Sequence, residues 1–432
     1  MRTIDLRGRR LTPAELLAAV PRAEAARGLA LATAAEIVHD VAARGEASLR
    51  EQAARFDGVE GHSVRVPAEH LDEALAAISP AVRAAIEESI RRVRLASAAQ
   101  IPPDRVTELG PGARVEQRWR PVRRVGVYVP GGKAVYPSSV VMNVVPAQVA
   151  GVQTVALASP PQRDHDGRIH PVILAAARLL GISEVYAMGG AGAIGAFAYG
   201  VGSLGLDPVD VISGPGNNFV ALAKRVVAGV VGTDSEAGAT EILIVADGEA
   251  DADLVAADLV SQAEHDEQAA AVLVTDSPGL AEAVAERVAA RAAATRHAER
   301  VAIALEGPQS AIVLVDDIPA AAAFSNAYAP EHLELHLRDP RPDEYVNAGA
   351  VFVGPHTPVS LGDYLAGSNH VLPTGGQARY AAGLGAATFL RSQQVISYDR
   401  EALRAVHDGI LALSDSEQLP AHGEAVSARF DA

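Results

Sequence analysis

The apolar positions of the chain change their period near residue 120. Before that point, stretches such as ATAAEIVHDVAARGEASLREQAARF carry apolar residues at helical spacing, and Pro13 stands where a helix would open. Residues 1–100 therefore read as helical. Beyond residue 120, short apolar runs alternate with glycine-rich loops and alanine-rich helical segments. VGVYV (125–129), TVALA (154–158), EVYAM (184–188) and DVIS (210–213) form a first series of expected strands. EILIVA (241–246), AVLVT (271–275), AIVLV (311–315), LELHL (333–337) and AVFV (350–353) form a second. Helical segments such as PVILAAARLLG lie between them. Alternation of this kind implies βαβ units on mainly parallel sheets, so two α/β sheets are expected. After a glycine-rich stretch, 362–386, the last fifty or so residues turn polar and helical in pattern. No internal sequence repeat is present.

Composition narrows the function. The 432 residues allow two to four domains, and 49% hydrophobic with 21% charged residues describes a folded globular chain. The net charge of −16 argues against a nucleic-acid or anionic-membrane surface. It leaves room for an anionic cofactor, because backbone N–H groups at helix N-termini bind phosphate without lysine. The chain has no cysteine, which removes disulfides, thiolate metal sites and a cysteine nucleophile. Any metal must be held by nitrogen or oxygen. There is no signal-like apolar core and no unbroken apolar run of about 18 residues, so a cytoplasmic protein is expected.

Several segments carry candidate chemistry. Three glycine-rich loops follow expected strands: PGGKAVYPSS, GGAGAIG and GPGNN. The middle one contains Gly190-Ala-Gly192-Ala-Ile-Gly195, a literal G-x-G-x-x-G, with Asp207 and Asp210 at about the distance of a ribose-binding acid. Tight packing of a βα turn explains one such loop; three along one sheet edge suit a nucleotide. In SQAEH, Gln262 and His265 stand at i and i+3, on one face if helical. GDYLAGSNHVLPTGG offers Asp363 and His370, and SEQLPAH offers Glu417 and His422. Solvated surface is the plain alternative for each, and no HExxH or CxxC spacing supports a metal independently. In AYAPEHLEL, Glu331 and His332 are adjacent. Neighbours do not share a face on a helix or strand, so these two converge only if the backbone turns there or a substrate lies between them.

Taken in order, VYVPGG, GPGN, SQAEH, AYAPEHLEL, GDYLAGSNHVLPTGG and the terminal acid-to-His segment resemble the histidinol dehydrogenase family, and the likeness runs nearly the whole chain. The resemblance implies a four-electron oxidation of L-histidinol to L-histidine with two NAD, through the aldehyde, as the last step of histidine biosynthesis. It implies one zinc ion per subunit held by Gln262, His265, Asp363 and His422. Substrate contacts would come from those four with Thr240, His332, His370 and Glu417. His332 would take the alcohol proton and Glu331 would activate water. NAD contacts map onto Tyr128, Asn217 and position 192. The implied fold is two incomplete Rossmann-like parallel-sheet domains with small helical N- and C-terminal elements. Its expected boundaries are 1–25 for the N-terminal element, 26–124 with 239–380 for the first domain, 125–238 for the NAD-associated domain, and 381–432 for the C-terminal element. The family's homodimer has the C-terminal element crossing to the partner, so Glu417 and His422 would serve the other subunit's site.

Two departures from the family pattern matter. Gly192 stands where a GGAQA loop would have Gln, so the G-x-G-x-x-G is a product of that change and not an ordinary dinucleotide fingerprint. AGATE carries Thr240 where Ser is usual, which keeps a hydroxyl. Rival readings are a related zinc- and NAD-dependent dehydrogenase of another amino alcohol or polyol, a metal-dependent hydrolase in which Glu331 activates water, and a non-catalytic nucleotide- or metal-binding module.

Overall fold

The computed structural model describes the chain except for residues 23–26, 132–134, 236–237 and 431–432 and the side chains of 27–29. The middle of the PGGKAVYPSS loop, including Lys133, and the expected 25/26 boundary lie outside the described residues. The described residues form two compact units, 1–100 with 122–389 and 101–121 with 390–432.

The first unit contains two parallel sheets. One has six strands: β1 (Arg2–Asp5), β9 (Glu241–Ala246), β10 (Ala270–Thr275), β11 (Ala311–Leu314), β12 (His332–His336) and β13 (Ala350–Val353), in the spatial order β1-β11-β10-β9-β12-β13. The other has five: β4 (Arg124–Tyr128), β5 (Thr154–Ser159), β6 (Glu184–Ala187), β7 (Val211–Ser213) and β8 (Gly232–Thr233), in the order β6-β5-β4-β7-β8. Every pairing in both sheets is parallel. From β4 and from β9, each sheet adds two strands to one side and then two to the other, the 3-2-1-4-5 order of a doubly wound sheet drawn twice; in the six-stranded sheet β1 is added at the edge beside β11.

The expected strands of both series are present, with ends shifted by no more than one residue. They were legible because helices cover both faces of each sheet. All six residues of β9 and of β10 are buried, and apart from Glu241 at the start of one and Thr275 at the end of the other their sequences read as apolar runs. Leu243, Val245, Val272 and Val274 pack on one face with Phe324 and Tyr328, and Ile242, Ile244 and Leu273 on the other with Val255 and Leu259.

Two strands, β1 and β14, depart from the helical reading of the chain ends, and two more, β2 and β3, lie in 101–121, where the sequence reading placed no element. β1 is a short polar edge strand beside β11, so the N-terminal element is not purely helical. β2 (Arg105–Gly110), β3 (Ala113–Pro121) and β14 (Leu390–Tyr398) form an antiparallel sheet in the second unit. β14 pairs with β3 over its whole length, from Leu390 opposite Pro121 to Tyr398 opposite Ala113. Residues 101–121 thus group with the C-terminal segment, where the sequence boundaries put them in the first domain. β2 is exposed along its length and lacks the apolar face that makes a strand visible in sequence. Among the described residues no helix is long and apolar enough to cross a membrane.

Candidate active site

The helix Ile318–Tyr328 stops at Ala329, which takes a left-handed conformation (φ 50, ψ 68), and Pro330 prevents its continuation. A non-glycine residue in this region carries strain that its surroundings must hold; Ala329 is fully buried. The chain then enters β12 with Glu331 just before the strand and His332 as its first residue. This is the turn that lets two neighbours converge: Glu331 Oε2 lies 3.5 Å from His332 Nδ1.

Both side chains are buried and tied to the start of β9, the adjacent strand. Glu331 Oε2 accepts from the Thr240 hydroxyl at 2.7 Å and from the Glu241 N–H at 2.8 Å. Burial pushes the Glu331 carboxyl up to about 7, against the opposing pull of His332 and these two donors. His332 Nδ1 lies 3.0 Å from the Glu241 carbonyl oxygen. A carbonyl only accepts, so Nδ1 carries the proton and Nε2 is the basic nitrogen of the neutral ring. Glu241 is itself held by Arg22, whose guanidinium pairs with its carboxylate at 2.5 Å and stacks over Tyr328 at 4.0 Å.

Gln262 extends this network. It lies in the last turn of the helix Ala252–Ala263, and its Nε2 donates to Thr240 Oγ1 at 2.8 Å. The Thr240 hydroxyl in turn donates to Glu331 Oε2, so three side chains form one directed hydrogen-bonded chain. With its nitrogen engaged, Gln262 has its carboxamide oxygen left for a further partner. The helix ends at Ala263, so His265 stands in the turn beyond it and not on the helical face the spacing suggested. His265 Nε2 comes within 3.9 Å of Asp363 Oδ2. Asp363 lies on a short helix, Val359–Tyr364, within the stretch that reads as irregular in sequence. Its carbonyl accepts from His370 Nδ1 at 3.0 Å, which leaves His370 Nε2 to accept the Ser139 hydroxyl at 3.1 Å. Burial holds the His370 pKa below its ordinary value, consistent with this neutral ring. Gln262, Thr240, Glu331 and His332 are thus joined by side-chain contacts, and His265, Asp363 and His370 form a second set in the same unit, near enough for His332 to act electrostatically on His265 and His370. Glu417 and His422 belong to the second unit, where both are exposed, Glu417 capping the end of the helix Arg400–Ser416 and His422 on the helix Pro420–Ser427.

The expected NAD contacts lie at the carboxyl ends of the five-stranded sheet. Tyr128 ends β4, and its buried hydroxyl accepts the Gly190 N–H at 3.1 Å. Gly190 begins the helix Gly190–Tyr199 after β6. Asn217, exposed after β7, caps the helix Asn218–Val227 by accepting from the Val220 N–H at 3.2 Å, which leaves its side-chain amide for a ligand. β4 and β7 are the pair between which strand order reverses, the usual crevice for a nucleotide. Gly214 is required there: at φ 119 it passes so close to the Tyr128 backbone that a Cβ would overlap it. The Asp210 reading is corrected. Asp210 sits before β7, at the opposite edge, where Oδ2 accepts the backbone N–H groups of Arg123 and Arg124 at 2.7 and 2.9 Å, and the Asp207 carbonyl accepts from Arg124. Both residues hold strand ends together.

A second cluster escaped the sequence. His332, Glu334 and His336 share one face of β12, and Asp258 approaches from the helix Ala252–Ala263. Among the described residues Asp258, Glu334 and His336 are the one group of three titratable ligand atoms gathered within 4.8 Å. Glu334 is fully buried; Oε1 accepts the Val359 N–H at 2.8 Å and Oε2 lies 3.3 Å from His336 Nε2. Burial and the Glu334 charge raise the Asp258 carboxyl to about 7. Period-2 reading of HLELH would have found the shared face, but Asp258 is joined to it only by helix packing.

A family model described as histidinol dehydrogenase matches residues 21–430. A histidinol dehydrogenase of Leifsonia xyli subsp. xyli is 64% identical over all of this chain and 99% of its own length. One from Bifidobacterium longum is 54% identical over 100% of this chain and 93% of its own. The crystal structure of a histidinol dehydrogenase from Elizabethkingia anophelis superimposes with a TM-score of 0.92 at 31% identity, covering 100% of this chain and 98% of that one. By sequence and by fold, the chain belongs to the histidinol dehydrogenase family.

Proposed function

We propose that the chain oxidises L-histidinol to L-histidine in two steps, using two NAD and one zinc ion per subunit. The observation that carries this reading is the hydrogen-bonded chain from Gln262 through Thr240 to Glu331, beside a His332 whose Nδ1 is already committed. The residues suit both absent groups. Gln262 with a free oxygen, and His265 with its ring nitrogen 3.9 Å from the Asp363 carboxylate, offer N/O donors that fit zinc in a chain without cysteine. Tyr128, the helix beginning at Gly190 and Asn217 flank a strand-order reversal suited to a dinucleotide. When bound, NAD would supply the hydride acceptor and zinc a template for the substrate's nitrogens.

The chain's own residues manage the protons. His332 takes the alcohol proton at Nε2 as hydride leaves the carbon. Glu331 Oε2 is held by two donors, which leaves Oε1 to accept a proton from the water that adds to the aldehyde. Burial makes this carboxylate basic enough to do so near neutral pH. As water adds, His332 returns its proton to the carbonyl oxygen, and it takes that proton back as the second hydride departs from the hydrated aldehyde. Thr240 orients Glu331, and His370, steadied by Ser139, would contact substrate. Zinc ligation would be completed by His422, and substrate binding by Glu417, from the partner of a homodimer; their exposure in a unit of their own supports this.

The test is stoichiometric. Zinc-loaded enzyme given limiting L-histidinol and excess NAD is expected to yield two NADH and one histidine per substrate. A yield of one NADH, or turnover of other amino alcohols in preference to histidinol, would overturn the proposal.

A further inference from the structure

The helix Gly190–Tyr199 opens on three residues with little side chain, Gly190, Ala191 and Gly192, yet the space over its first turn is filled. A Cβ built on Gly192 would overlap Oε1 of Gln52, which reaches in from the end of a different helix, Glu46–Gln52. Gln52 is not there by slack. Its Nε2 donates to Ser48 Oγ at 2.9 Å, and Ser48 Oγ donates in turn to Asp40 at 2.6 Å. The nitrogen is thereby tied back and the oxygen is the end that meets Gly192. The next five residues, Ala53–Asp57, form a π-helical turn, a local irregularity often found at functional sites. That turn brings the Asp57 carboxylate near enough to Tyr128 to add to the burial that raises the tyrosine hydroxyl to about 12. Gln52 therefore belongs to the same sheet edge as Tyr128, between the helix that opens at Gly190 and the segment that approaches Tyr128.

We propose that Gln52 is a dinucleotide-binding residue, its carboxamide standing where a side chain at 192 would otherwise reach the cofactor. This rests on the NAD reading above. Gln52 is half-buried, and the end that is not tied back is an acceptor, so the group it recognises is a donor; a ribose hydroxyl qualifies and a phosphate does not. Gly192 and Gln52 are then a matched pair: glycine at 192 is what admits the Gln52 side chain, and Gln52 restores the polar contact that glycine gives up.

NAD titration by calorimetry into the full-length, zinc-loaded protein tests this with four chains: parent, Gln52→Ala, Gly192→Gln and the double variant. One hydrogen bond lost should weaken NAD binding roughly fivefold in Gln52→Ala. Gly192→Gln alone should weaken it as well, because the new side chain collides with Gln52. The double variant should return to within about twofold of the parent, since one carboxamide again occupies the space. Zinc content and histidinol binding, unchanged in every variant, would establish that the fold is intact. Parent-like NAD affinity in Gln52→Ala, or losses that simply add in the double variant, would overturn the inference while leaving the function standing. No NAD binding by the parent would instead remove the cofactor reading, and this one with it.

Discussion

Two imidazole–carboxylate groups lie at the start of β12 and along it, their histidines four residues apart, and they differ in what they leave unused. At the strand's mouth, Glu331 and His332 each spend one polar atom on the protein, Glu331 Oε2 on Thr240 and Glu241, His332 Nδ1 on the Glu241 carbonyl. One step down, Glu334 spends both oxygens, on Val359 N–H and on His336, with Asp258 sharing the remaining charge. The second group has the tighter gathering of ligand atoms, yet its partners satisfy it internally. Proximity of acid and histidine is therefore a poor sign of chemistry. What distinguishes the two is the atom left over: a lone pair and an oxygen at the edge of the sheet, against a closed set beneath it. Glu334 also holds the N-terminus of the short helix that carries Asp363, so the closed group supports the open one.

This contrast can be broken by substitution. His332→Asn should lower both oxidations by about 1,000-fold, whereas His336→Asn should spare the chemistry of the folded fraction; equal losses in NADH assays would erase the distinction. Glu331→Gln should slow the second oxidation by about 100-fold and leave the first largely intact, so that quenched-flow analysis finds aldehyde and one NADH per histidinol. Glu334→Ala should act on stability, costing about 3 kcal/mol in denaturant unfolding, because it strands a buried N–H and an imidazole.

The smallest effects concern pH. Glu331 and Asp258 both have carboxyls raised to about 7 in the folded chain. The folded state then holds these protons more tightly than the unfolded chain. The stability they contribute is full below the ordinary carboxylate range and is lost as pH rises through about 7. Glu331→Gln and Asp258→Asn in the metal-free protein should each melt higher than the parent at pH 8, by roughly 1–2 kcal/mol, with the gain gone near pH 4. Asp258→Asn should also keep its zinc, and Asp363→Asn should lose it, in metal analysis after gel filtration. Zinc loss in the reverse order would move the metal to the lower cluster.

Most of the parallel framework could be read from the chain because buried strands between helices are short apolar runs bounded by glycine. The exposed strands β2 and β14 could not, having no face to bury. Among site residues, Glu331 and His332 were conspicuous as a pair after a proline, Gln262, His265, Asp363 and His370 stood out as candidate polar ligands, and Thr240 and the roles of all of them came with the family resemblance. Ser139, Glu241 and Gln52 gave no signal. Ser139 and Gln52 act through one hydroxyl or amide on an ordinary helix, and Glu241 through its backbone, where side-chain identity says nothing.

The order of the buried parallel strands and the helices between them, the absence of thiol chemistry and the set of polar residues available were settled by the sequence, since each follows from local periodicity or composition. Which edge of each sheet is used was settled only by folding. The five-stranded sheet presents its carboxyl edge, where backbone N–H groups are free, and the six-stranded sheet presents the amino ends of β9 and β12, where Thr240, Glu241, Glu331 and His332 meet. Strand order and register are pairings between residues some 90 positions apart, as between Glu241 and Glu331. No local pattern encodes them, because their energy appears only when distant segments bury one another's faces.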